Sequence, residues 1–188
     1  MIPQPLLEMD YGEGDRPEDV TRRLEEYLIA HPDDRDAYLQ LVVLYFEATD
    51  GGVVSRFRLS QSFVDHAWAR RLALLDEVDR RFGASTETAF WRSYMRWVNG
   101  GDPIDADCEA MAQRGDSLMP YLYLYTAHRH SSHREKAREL FLRSKSGITP
   151  LDRYIRSLLW RDFGEGEPPW RQSASGSTAG SRSIDGPR

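Results

Sequence analysis

The chain has 188 residues with 25 Lys and Arg against 30 Asp and Glu, a formal net charge of −5, and 40% hydrophobic residues. That is the composition of one water-soluble domain with a real core, or one domain plus a tail, and the acidic balance argues against a nucleic-acid surface. No run approaches the ~20 apolar residues of a membrane span, the N-terminus lacks a basic start and apolar stretch, and the single Cys108 cannot close an internal disulfide, so a cytoplasmic protein is expected.

Residues 1–15 are expected to be loosely held, with Leu6, Leu7 and Met9 as anchors. Asp15-Arg16-Pro17-Glu18 then sets a capping aspartate before a proline and a glutamate, the opening of a helix whose stripe is Leu24, Tyr27 and Leu28. His31-Pro32 ends it. The carboxylates Asp33, Asp34 and Asp36 favour the next helix N-terminus, and Tyr38, Leu41, Val42 and Tyr45 make its stripe. Val53 to Leu59 is the one segment rich enough in β-branched residues to read as a strand, but it would have nothing to pair with. Ser60 caps a long helix reaching Phe82, with Phe63, Ala67, Trp68, Leu72, Leu75 and Val78 at helical spacing.

Ser85 caps the next, marked by Phe90, Tyr94, Trp97 and Val98, and Asp102-Pro103 offers another cap-and-proline start. Tyr121, Leu124 and Tyr125 follow, then Ala137, Leu140 and Phe141 after Ser132-His133-Arg134-Glu135. The last is Tyr154, Ile155, Leu158 and Leu159 after Thr149-Pro150-Leu151-Asp152. Gly83, Gly147 and Gly164 serve as stops. The result is an all-α fold of about eight helices joined by short turns, which favours antiparallel neighbours. From Gly164 to residue 188, Ser, Gly and Ala replace apolar anchors and a disordered tail is expected, with Trp170 as the residue able to dock.

Ala37, Tyr38, Leu41, Val42 and Tyr45, preceded by Val20, Leu24, Tyr27 and Pro32, resemble a tetratricopeptide repeat, a helix pair of about 34 residues. Ala89, Phe90 and Trp97 echo its first helix, with Ala106 and Ala110 in the second. Tyr121, Leu124 and Tyr125 echo it again, followed by Ala137, Phe141 and Ser144. The starts at Ala37, Ala89 and Pro120 lie 52 and 31 residues apart, so the period is degenerate, with an insertion near 51–59. The resemblance implies antiparallel hairpins stacked as a short right-handed superhelix over residues 16–163. Its concave face would be lined by Leu39, Val43, Phe46, Trp91, Met95, Val98, Leu122, Thr126 and Arg129. Leu39 and Val43 stand where carboxylate-clamping members carry polar groups, so an apolar or amphipathic peptide is the expected ligand.

Function follows as a non-enzymatic adaptor that binds another protein, with no cofactor, nucleic acid or membrane partner, and with oligomeric state left open. One alternative is an inhibitor, chaperone or immunity-type partner using an outer acidic face at Asp76, Glu77 and Asp79. Another is a small metal-dependent or regulatory enzyme. For the latter, His128, His130 and His133 are the weak metal candidates; histidines near a helix end also complement its dipole. Cys108 sits among acids, which disfavour a reactive thiolate, and no phosphate loop or nucleophile elbow occurs.

Overall fold

The computed structural model describes residues 15–166 apart from Asp102; the expected loose segment before Asp15, the Asp102 cap and the tail beyond Gly166 lie outside it. The described chain is helical throughout, with α1 (Pro17–Ala30), α2 (Arg35–Glu47), α3 (Gly51–Phe57), α4 (Gln61–Phe82), α5 (Thr86–Val98), α6 (Asp105–Arg114), α7 (Pro120–His128), α8 (Ser131–Lys145) and α9 (Pro150–Phe163). No described helix is long and apolar enough to cross a membrane.

Side-chain caps fix most of the starts. Asp34 accepts from the Ala37 amide, Ser60 from Phe63 and Ser85 from Thr88, while Thr149 and Asp152 form a reciprocal capping box. Two expected caps are corrected. Arg16, not Asp15, precedes α1 and its side chain caps nothing, because Arg16 instead donates to Glu18 and to the Phe57 carbonyl. Helix α8 starts after His130, two residues earlier than Ser132 capping requires. After Pro103 one further residue, Ile104, precedes the start of α6 at Asp105. The Val53–Leu59 segment is mostly helical rather than a strand: Asp50 Oδ1 accepts from the Gly52 and Val53 amides and starts α3, which ends in a left-handed Arg58.

Consecutive helices pack in order, from α1 on α2 and then α4 on α2 through to α8 on α9. The pairing of α2 with α4 is antiparallel, since Tyr38 meets Glu77 and Phe82 while Tyr45 meets Phe63 and His66. Helix α5 doubles back on α4 in the same way, tied by Arg92 to Asp76 and Asp79. Helix α9 then reaches across the chain to α2: Gln40 Oε1 accepts from the Leu151 amide at 2.9 Å over a separation of 111 residues. A solenoid keeps each element to its sequence neighbours; this contact closes the array onto α2 instead. Every residue from Ala37 to Phe46 is consequently buried. An aromatic cluster of Phe46, Trp91, Tyr94 and Tyr154, with ring centroids 5.7–6.3 Å apart, holds the closure together.

Candidate functional site

The closure onto α2 decides the fate of the expected concave face. Leu39, Val43, Phe46, Trp91, Met95 and Leu122 are all buried in the core, because α9 and neighbouring helices cover the positions that an open array would present. Thr126 is half-buried and donates its hydroxyl to the Leu122 carbonyl. Arg129 is exposed but ion-paired to Asp162 of α9. Val98 alone of the nine stands clearly out as an exposed apolar side chain, at 46%. As a correction, then, these residues do not line one continuous open groove.

One cleft of about 450 Å³ lies where the ends of α2 and α5 meet α3 and α9. It is lined by Phe46 and Glu47 from the end of α2, Thr49 and Asp50 from the turn, Gly51 and Val53 from α3, Val98 and Asn99 from the end of α5, and Tyr154 and Ser157 from α9. Phe46 and Tyr154 meet edge to face at 5.7 Å and 83°, giving two aromatic walls at nearly right angles. The Tyr154 hydroxyl lies 2.9 Å from that of Tyr94. Burial pushes the Tyr154 phenol far above its ordinary range, and Tyr94, Glu47 and Asp50 push in the same direction.

Behind the cleft lies Arg71 of α4, 1% exposed. Its guanidinium stacks 3.7 Å over the Trp68 ring and 5.6 Å from the Phe46 centroid, and one nitrogen donates to Thr49 Oγ1 at 2.9 Å. The Nε has no hydrogen-bond partner, and no carboxylate forms a salt bridge with this group among the described residues. Burial alone lowers its pKa from 12.5 to about 10. Arg71 therefore joins α4 to the α2 turn through stacking and one hydrogen bond. It also links the cleft wall to Trp68, which with Leu72 one turn further along α4 is exposed at 38% and 45%. The charge of Arg71 gave no sign in the sequence of being buried, since it alternates with acids along α4 as a solvated face does.

The other sequence candidates are occupied by structural contacts. His128 pairs with Asp105 at the start of α6, and Asp105 also accepts from Tyr123 at 3.0 Å. Burial would raise the Asp105 carboxyl, but the hydrogen bonds from Tyr123 and His128 outweigh it and hold it low. The His130 ring lies 5.7 Å from that of His128, while His133 faces Tyr121. No group of three potential metal ligands is assembled among the described residues. Asp76 and Asp79 pair with Arg92, and Glu77 with Arg70, Arg80 and Arg81, so the expected acidic face is interlaced with arginines. Cys108 is fully buried, and burial, then Asp107 and Asp105, push its thiol up to about 12.

A second polar cluster lies between α1, α2 and α4. Arg70 grips Glu25 through two bonds of 2.7 and 2.9 Å, and the Tyr45 hydroxyl reaches both Glu25 and His66. These groups satisfy one another and fasten α4 to α1. No protein-family model, curated protein or solved structure matches the chain.

Proposed function

We propose that the protein is a non-catalytic interaction scaffold that receives a segment of another protein in the cleft between the ends of α2 and α5. One observation carries the reading: Val98 exposes an apolar side chain in the lining of a cleft floored by Phe46 and Tyr154, while Trp68, exposed on α4, stacks on the Arg71 that packs behind Phe46. Apolar side chains gathered beside a concavity are the usual mark of a docking surface, whereas scattered ones are not. The tetratricopeptide resemblance supports a binding role on the same helices, with the ligand entering the cleft between the ends of α2 and α5 rather than along a concave face.

The test is affinity capture with the wild type and with Val98→Arg and Leu72→Glu, followed by reconstitution with the purified partner. Both substitutions lie on exposed positions and leave the melting temperature within a degree or two. Lost association with an unchanged fold supports the reading; undiminished association by both variants sinks it. Trp91→Ala is the contrasting control: it empties a core position and costs about 3–5 kcal/mol of stability rather than altering a surface.

A further inference from the structure

We infer that the flank of α8 turned toward α9 docks an extended acidic segment of a partner protein, of the form Glu-x-Glu-x-Leu. This surface is separate from the cleft. From Arg129 to Phe163 the chain carries nine Lys and Arg against four Asp and Glu, although its overall charge is −5. Helical spacing puts Arg134, Arg138, Leu142 and Lys145 on one flank of α8. Arg134 lies over the Phe163 ring, so that flank is the one beside α9. Lys136 and Arg143 lie on the other, where both pair with Glu139.

This division leaves Arg138 and Lys145 exposed, with no salt bridge among the described residues. Acids of α9 are engaged elsewhere: Asp162 pairs with Arg129, and Asp152 accepts from the Thr149 amide. Helix α9 instead adds cations at the C-terminal end of α8. Arg156 donates to the Ser144 and Gly147 carbonyls, and Arg153 to the Ile148 carbonyl. Leu142 stands 50% exposed between Arg138 and Lys145, and Ile148 is exposed just beyond the helix. A segment bearing both carboxylates and a leucine answers the cations and the apolar side chains together.

The spacing fits an extended chain. Arg134, Arg138 and Leu142 follow one another at about 6 Å along the helix axis, and alternate side chains of an extended strand are about 6–7 Å apart. A flat anionic surface such as a bilayer would also cover Glu135 and Glu139 on the outer face of α8, whereas a narrow segment along the flank meets cations alone.

The experiment titrates the full-length, 15N-labelled chain with acetyl-Glu-Ser-Glu-Ser-Leu-amide and with its glutamine counterpart. The glutamate peptide is expected to bind about tenfold more tightly, the scale of one charge-assisted contact, and to weaken with salt. It should shift the amides of Arg138, Leu142 and Lys145 and leave those of Gly51 and Asn99 in the cleft unmoved. The preference should vanish in Arg138→Gln/Lys145→Gln, two exposed positions whose replacement leaves the melting temperature unchanged. Equal affinity for the two peptides, or a preference that survives in the double variant, overturns the inference. So does binding to phosphatidylcholine vesicles containing phosphatidylserine without binding to either peptide, which makes the surface a lipid site. Peptide binding that emerges only after residues 167–188 are removed overturns it too, since the occupant is then this chain itself. Each of these outcomes leaves the cleft reading to its own test with Val98→Arg and Leu72→Glu.

Discussion

Arg71 is a buried cation with aromatic faces and one hydroxyl for company, where a carboxylate would ordinarily be. Stacking on Trp68 offsets part of the lost hydration, while burial pushes the Arg71 pKa down to about 10. Replacing a poorly compensated buried charge with an apolar group of similar length is commonly neutral or stabilising. Arg71→Met is therefore expected to raise the unfolding free energy by about 1 kcal/mol. Arg71→Ala, which leaves a void under Trp68, should lower it by about 2 kcal/mol. Urea titration of the two variants decides the matter; a Met variant less stable than the Ala variant would show that the charge itself holds the α2 turn.

At the scale of elements, the junction of α9 with α2 depends on a buried amide that a sequence pattern does not single out. Gln40 is 7% exposed and accepts the Leu151 amide in the first turn of α9, where an intrahelical partner does not exist. Gln40→Leu keeps the volume and removes the acceptor, leaving that amide buried and unmet, at a cost of about 1–3 kcal/mol. The loss should be local. Hydrogen exchange is expected to speed up in α9 and in Tyr154 before it does in α4, and uniform acceleration would show that α9 is not a separate junction. The short α3 is instructive for the opposite reason. Val53 and Val54 favour extended backbone, yet Asp50 supplies the cap and no strand among the described residues completes a ladder, so the segment coils into a helix.

For the whole molecule, closure by α9 predicts one cooperative unfolding transition rather than the stepwise loss of an open array. Its alkaline limit follows from the buried acids. The Tyr45 phenol is pushed from 10 up to about 12, first by burial and then by Glu25, and Cys108 rises from 9 to about 12. The unfolded chain sheds these protons sooner than the folded one, so their contribution is complete below about pH 9 and disappears as the pH climbs through 12. Arg71 works in the opposite sense, because the folded state releases its proton near 10 and the unfolded state near 12.5. Two groups oppose one, and the melting temperature is expected to fall between pH 9 and 12. Calorimetry would check this, together with phenolate absorbance appearing in step with unfolding; a flat melting temperature across that window contradicts it.

The all-helical fold was legible from the chain because apolar spacing and capping residues are local. Ser60 and Phe82 bracket α4, and Thr149 with Asp152 opens α9, without reference to anything distant. The candidate site was legible only in fragments. Phe46 and Val98 stood out as partner-facing residues and do line the cleft, but Leu39, Val43, Trp91, Met95 and Leu122 shared the same helical pattern and are core. Helical periodicity says which side chains share a face, and it is silent on whether that face meets solvent or another part of the chain. That choice was made by the contact of α9 with α2, across 111 residues. The same long-range closure buries Phe46 against Tyr154 and brings the ends of α2 and α5 to one cleft, while the packing of α4 on α2 places Arg71 behind it. Local chemistry determined the helices; the meeting of distant ones decided which surfaces are left exposed.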